Sequence, residues 1–134
     1  YAHPEAVGRW WEQWRARRLA ELFGDTARRF SMEEMARLQH DEVSMPARRA
    51  VPLLAAVQPA DPLVRQARDT LLAWDRVMGT GSAGAGIYAQ WERRLSRAVL
   101  ARTVPAAQRA LVPYMELELV IEALEHPDAR FGPS

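Results

Sequence analysis

Helical periodicity runs through almost the whole chain and constrains the fold more than any other feature of the sequence. Apolar residues recur at every third or fourth position, the spacing that places side chains on one face of an α-helix. In the stretch 4–23 they form one broad stripe, with Arg9, Arg17 and Glu21 off it. No window alternates apolar and polar residues as a half-buried strand does. The pattern predicts an all-α fold, an irregular bundle of four to six helices.

Capping residues mark where helices begin. Ser31 followed by Glu34 predicts a capping box, in which each side chain satisfies an otherwise unpaired N–H of the first turn. Two further starts are indicated, because Asp61 stands before a proline and Ser82 follows the glycine-containing break at 79–81. The helix that begins at Asp61 is expected to carry its apolar stripe at Leu63, Ala67, Leu71, Trp74 and Met78.

Prolines predict where the helical pattern breaks. Proline removes an internal hydrogen bond and clashes with the preceding turn. We therefore expect a kink, or two abutting helices, where Pro46 and Pro52 interrupt the helix that begins at Ser31. The last helix is expected to begin at Pro105 and to run through Leu124, with a bend or break at Pro113.

Composition limits the kinds of partner. The 134 residues suffice for one domain with its own core, and 49% hydrophobic with 26% charged residues is typical of a globular chain. All 18 basic residues are arginine, yet the net charge is only +1, so we predict no nucleic-acid or membrane partner. No apolar run is long enough to cross a bilayer. Without cysteine, disulfides and thiolate metal sites are excluded.

Residues that could carry chemistry are few and scattered. Ser31 and Ser82 are interpreted as helix caps, and no serine stands in a G-x-S-x-G elbow. Glu122 and His126 are four residues apart, which supplies only half a metal site. The glycine-rich stretch 79–86 lacks the lysine and the preceding strand of a phosphate loop, so its small residues are expected to let a helix approach a neighbour closely. We predict no cofactor and no metal.

Charge is distributed unevenly between the two ends of the chain. Arginines and tryptophans crowd the first thirty residues, but interleaved acids favour a solvated face with one or two ion pairs over a nucleic-acid surface. The stretch 116–128 is acidic and contains no arginine. This asymmetry predicts that the two ends, or one end and a missing partner, pair electrostatically.

Six stretches of the chain follow, in order, the motifs of one known family. The run WRARRLAELF is similar to a helix of pattern yRaxRIxelL, and LLAWD closes a stretch similar to an axxxLxxWD signature. The six stretches are 14–23, 30–44, 47–54, 67–75, 82–88 and 121–132, and their order and spacing span nearly the whole chain. They resemble the penicillin amidase family of N-terminal-nucleophile hydrolases, which includes penicillin, cephalosporin and acyl-homoserine-lactone acylases.

The resemblance implies a place within a larger enzyme. Residues 1–134 would form a single helical subdomain of an αββα hydrolase, as a fragment of a longer precursor that exposes a nucleophilic serine by cutting itself. The family's SNxW motif, which contains that serine, is not found here, and the oxyanion-hole asparagine is not found either, since no residue of the chain is asparagine. We predict no catalytic residue in the chain, which alone would be inactive.

One functional position of the family is covered. Arg15 matches an active-site-proximal arginine that orders polar groups and substrate, and the alternative is that Arg15 only pairs with a carboxylate of the bundle. Other residues match family motifs and are interpreted as structural, because polar groups that tie or cap helices need partners. They are Gln39, Asp41, Ser44, Trp74, Asp75 and Ser82.

The partners implied are the remainder of the acylase α and β chains and a small-molecule amide substrate. The resemblance also suggests a periplasmic or secreted bacterial protein. In isolation we expect self-association through apolar surface that includes Trp10, Trp11 and Trp14. The alternative is a stand-alone helical binding or regulatory module with a complete gene of this length.

Overall fold

The computed structural model of the chain describes residues 13–112 and 115–127. Within these ranges the chain is helical, which confirms the all-α prediction, and Val43 and Val77 form one isolated antiparallel β-bridge. Trp10, Trp11, Pro113 and the predicted helix start near Pro4 lie outside the described residues. The α-helices are α1 (Gln13–Phe23), α2 (Met32–Leu38), α3 (Met45–Ala50), α4 (Pro62–Ala73), α5 (Ala83–Thr103) and α6 (Leu117–Glu125), with 3₁₀ helices at Val51–Ala56 and Ala106–Leu111.

The predicted helix starts are confirmed. The hydroxyl of Ser31 accepts the N–H of Glu34, whose carboxylate in turn accepts the N–H of Ser31, so the capping box is complete. Asp61 accepts two N–H groups at the start of α4, and Ser82 accepts one at the start of α5. Each of these caps joins residues two or three positions apart, so local sequence suffices to predict it.

The stretch that begins at Ser31 is not one kinked helix, and the alternative of two abutting helices is confirmed only at Pro52, where α3 is followed directly by a 3₁₀ helix. The helix α2 ends at Leu38, and residues 42–44 run in extended conformation against residues 76–78. The N–H of Ser44 donates to the carbonyl of Arg76 at 2.8 Å, and the N–H of Met78 donates to the carbonyl of Glu42 at 2.9 Å. These distant backbone partners satisfy the groups that a continuous helix would have used. Pro46 then lies in the first turn of α3, where proline is tolerated, and Pro52 lies at the change to a 3₁₀ helix.

Two other boundaries also differ from prediction. The stripe of α4 does not reach Met78, because the helix ends at Ala73 and Arg76 adopts a positive φ of 67°. At the other end of α4, Leu63 is 73% exposed. The stretch from Pro105 to Leu124 is divided between Leu111 and Leu117, as the predicted break allowed, and it differs from prediction in that its first part is a 3₁₀ helix.

The core lies where α4, α5 and the α3 region meet. Trp74 and Tyr88 pack with their ring centroids 5.5 Å apart, and Trp91 packs on the other side of Tyr88 at 6.0 Å. Gly84 allows this packing, since a Cβ there would lie 2.6 Å from Cδ1 of Trp74. The predicted close approach at the glycine-rich stretch is therefore confirmed. The remaining buried residues of this cluster are Ala47, Val51, Leu71 and Ala85.

The acidic end of the chain folds back onto the arginine-rich part. Val120 and Ile121 of α6 are fully buried, and α6 packs on α3 and α5. The guanidinium of Arg49 contacts the carboxylates of both Glu118 and Glu125. Arg17 reaches Glu118 at 3.3 Å across 101 residues of sequence. The predicted electrostatic pairing of the two ends is thus confirmed.

Candidate functional site

A cleft of about 400 Å³ opens between α1, the end of α2 and the start of α3. One part of its wall is polar, and the other part is apolar. This combination is typical of small-molecule sites, where apolar surface contributes affinity and a few polar groups fix orientation. The polar residues are Arg15, Arg18, Gln39, Asp41 and Ser44, and the apolar ones are Trp14, Leu19, Leu22, Leu38, Val43, Met45 and Pro46.

Four residues that were named separately from the sequence line this one cleft. Arg15 comes from α1, Gln39 from the end of α2, Asp41 from the turn after it and Ser44 from the start of α3. The other three motif residues lie elsewhere. Trp74 is buried in the core, Asp75 accepts the N–H of Val77, and Ser82 caps α5.

Arg15 lines the cleft without an interaction partner among the described residues. Its side chain is exposed, and no hydrogen bond or ion pair joins it to any other residue in the described part of the chain. Pairing with a carboxylate of the bundle, the alternative role for Arg15, therefore does not occur among the described residues. A guanidinium with five free donors can bind a carboxylate, a carbonyl or a developing oxyanion.

Arg18, which sequence reasoning did not single out, is bound to Asp41 in a two-point contact. Its Nε donates to Oδ2 at 2.6 Å and its Nη2 to Oδ1 at 2.9 Å, and about a fifth of each side chain is exposed. This contact lowers the pKa of Asp41 below its usual value of about 3.8, so the carboxylate is ionised at neutral pH. A third donor of Arg18 reaches Glu21, which also accepts from Arg48. The sequence signal that was available is the R-x-x-R spacing of Arg15 and Arg18 on one helical face.

Ser44 and Gln39 serve the backbone as well as the cleft. The hydroxyl of Ser44 accepts the N–H of Ala47 at 3.3 Å and caps α3. Gln39 closes α2, where its own N–H bonds to carbonyls of the last turn. Among the described residues, none of the serines is hydrogen-bonded to a histidine, and each of Ser31, Ser44 and Ser82 caps a helix.

A buried tyrosine lies behind Ser44 and was missed by sequence reasoning. Tyr88 is 1% exposed, and its hydroxyl lies near the side chains of Glu92 and Ser44 but forms no hydrogen bond of ordinary geometry within the described part of the chain. Burial raises the pKa of Tyr88, and the nearby charge of Glu92 raises it further. Burial also raises the pKa of Glu92. The spacing of Tyr88 and Glu92, four residues apart on α5, was the only available signal.

Acidic and histidine side chains do not gather into a metal site within residues 13–112 and 115–127. No three His, Cys, Asp or Glu side chains in these ranges come together as such a site would require. No helix in the same ranges has both the length and the apolar character for a membrane crossing.

Comparison with known proteins agrees with the order of the motifs. The model of the penicillin amidase family matches residues 1–132, which is nearly the whole chain. Neither the curated proteins nor the solved structures include a significant match. A family match of this extent cannot come from a single short motif. The chain belongs to the penicillin amidase family.

Proposed function

We propose that the chain is the helical segment of an acylase that hydrolyses an amide bond, and that Arg15 lies beside the reacting groups. The observation that carries this proposal is that the guanidinium of Arg15 has no partner among residues 13–112 and 115–127 and lies in a cleft with an apolar wall. Membership of the penicillin amidase family supports the reaction class. The nucleophilic serine and the oxyanion-hole asparagine would come from the rest of the acylase polypeptide, which is also the main partner of this segment.

The charges of the cleft indicate which of its residues would contact the polar part of a substrate and which the apolar part. Amide hydrolysis passes through a tetrahedral intermediate with a negative oxygen, and fixed donors near that oxygen lower the barrier. In the cleft, Asp41 compensates the charge of Arg18, so Arg15 leaves one net positive charge at the polar wall. That charge would orient the polar part of an amide substrate or of its acid product. The apolar residues would contact the acyl or amine group.

The test uses the longer protein that the native gene encodes. Arg15→Ala is expected to lower kcat/KM for acyl amides by about ten- to a hundredfold, the range for losing a hydrogen bond to a charged group. Arg15→Lys should recover only part of this loss, because an ammonium group cannot form the planar two-point contact. Arg94→Ala is the matched control, since Arg94 is exposed on α5 and does not line the cleft.

Two results would contradict the proposal. The first is an Arg15→Ala enzyme with unchanged kcat/KM. The second is robust turnover of phenylacetyl or long-chain acyl amides by the 134-residue chain alone. The DNA that flanks the coding region provides a further check, because the proposal expects an open reading frame that encodes a Ser-Asn pair. A gene that encodes only these residues would favour the stand-alone helical module.

A further inference from the structure

Between Trp14 and Phe23, the helix that carries Arg15 has no fully buried side chain. In this range only Trp14, Arg18 and Leu22 are half-buried. By contrast, α5 buries the side chains of Ala85, Tyr88 and Val99, and α6 buries those of Val120 and Ile121. Since apolar burial from Trp14 to Phe23 is only partial, directional polar contacts contribute strongly to the orientation of α1.

The two-point contact between Arg18 and Asp41 is the most directional of these polar contacts. Two parallel N–H···O bonds from one guanidinium to one carboxylate define an orientation as well as a distance. Other contacts of α1 with the rest of the chain are less directional: Arg17 reaches Glu118 through one atom pair at 3.3 Å, Arg49 lies over the ring of Trp14 at 5.9 Å, and Phe23 packs on Phe30 with ring centroids 5.1 Å apart.

Asp41 is itself attached to a well-anchored part of the molecule. It directly precedes residues 42–44, whose backbone is hydrogen-bonded to residues 76–78. Three residues further on, Ser44 caps α3, whose Ala47 and Ala50 are buried. The carboxylate of Asp41 therefore links α1 to the core side of the cleft.

Arg15 and Arg18 lie three residues apart and share a face of α1, and both line the cleft. Any rotation of α1 about its axis moves both side chains together. A side chain that ends ~6 Å from the axis moves by about 1 Å when the helix rotates by about 10°. Displacement of a reacting group by about 1 Å can cost on the order of a hundredfold in rate.

We propose that Arg18 and Asp41 are positioning residues that hold α1 in the rotation at which Arg15 faces the cleft. This inference rests on the proposed role of Arg15. It assigns the Arg18–Asp41 pair a task separate from substrate contact, namely to fix the helix against the 42–44 segment. The pair then acts on the reaction through Arg15.

The test is a double-mutant cycle in the full-length acylase. Arg18→Lys keeps the positive charge but cannot form the two-point contact, and Asp41→Asn removes the charge of its acceptor. Each is combined with intact Arg15 and with Arg15→Ala, and kcat/KM is measured together with the melting temperature. With Arg15 present, each change is expected to lower kcat/KM by about tenfold, and in the Arg15→Ala background by less than about twofold.

Arg37→Lys is the matched control for a change from arginine to lysine, because Arg37 is exposed on α2, pairs with Glu33 and does not line the cleft. It is expected to leave kcat/KM unchanged. Equal losses for Arg18→Lys in both backgrounds would show a purely structural role and overturn the inference. An Arg15→Ala enzyme with unchanged kcat/KM would instead overturn the proposed function, and the inference with it.

If Asp41→Asn does not fold, a second variant at the same position provides the test. Asp41→Glu keeps the carboxylate and serves as the second variant. Rescue of both melting temperature and kcat/KM by Asp41→Glu supports positioning by the carboxylate. The inference is refuted if Asp41→Glu restores the melting temperature but lowers kcat/KM by the same factor with Arg15 as with Arg15→Ala.

Discussion

Gly84 offers the sharpest test of the packing in the core. It lies in the first turn of α5, is buried, and faces the indole of Trp74. In Gly84→Ala, the new Cβ would lie 2.6 Å from Cδ1 and 2.7 Å from Cβ of Trp74. Carbon atoms pack best at about 3.5 to 4.0 Å, so α5 or the indole has to move by about 1 Å.

Neither partner can move freely. The indole N–H of Trp74 donates to the carbonyl of Val77 at 3.1 Å, and the ring packs on Tyr88. Overpacking of a core by one methyl group costs about 1–3 kcal/mol, and the gain from replacing a helical glycine is at most about 1 kcal/mol. We therefore expect Gly84→Ala to lower the free energy of unfolding by about 2 kcal/mol. For 134 residues, this corresponds to a melting temperature lower by about 7 °C.

Gly86→Ala is the matched control. Gly86 lies two residues further along the same helix and is exposed, and among the described residues no neighbouring atom lies within 4 Å of the place that a methyl group would take. This change is expected to raise the free energy of unfolding by about 0.5–1 kcal/mol, because only the glycine penalty is removed. Both variants are followed by circular dichroism during thermal and urea unfolding. A Gly84→Ala chain as stable as Gly86→Ala would refute the packing of α5 on Trp74.

Three further predictions concern contacts outside the cleft. Ser31→Ala is expected to lower the free energy of unfolding by about 1 kcal/mol in urea, because the capping box is lost, and an unchanged midpoint would contradict this. Tyr88→Phe removes a buried hydroxyl that forms no hydrogen bond of ordinary geometry among the described residues, so the melting temperature is expected to stay or rise; a fall of several degrees would reveal a hidden partner. Arg49 lowers the pKa of Glu125 below its usual value of about 4.5, so this contact contributes stability above about pH 4.5 and loses it as pH falls through the lowered pKa. Arg49→Gln is expected to flatten the dependence of melting temperature on pH in that acidic range, and equal slopes for both proteins would disprove the assignment.

Much of the helical architecture can be predicted from local sequence. Ser31, Asp61 and Ser82 cap helices where the pattern placed them, because each cap joins atoms two or three residues apart. The small residues near Gly84 correctly indicated a close approach between helices. The order of the family motifs likewise depends only on positions along the chain, which is why the family match follows it.

The arrangement of the cleft residues could not be predicted from local sequence, because it depends on contacts between distant parts of the chain. A proline-interrupted apolar stretch reads equally well as a kinked helix, and only the pairing of residues 42–44 with 76–78 decides that α2 ends at Leu38. That ending places Asp41 against Arg18, 23 residues away along the chain. With Arg18 so engaged, Arg15 is left unpaired in the cleft among the described residues.

Caps and helical periodicity thus follow from the sequence by itself, since they depend on atoms within one turn of helix. The choice among ion-pair partners depends on which carboxylates the fold brings within reach of each guanidinium. Arg49 and Arg17 meet α6 only because the end of the chain returns to α3. Eighteen arginines among seventeen acids allow many pairings in sequence, and the tertiary structure selects between them by distance and burial.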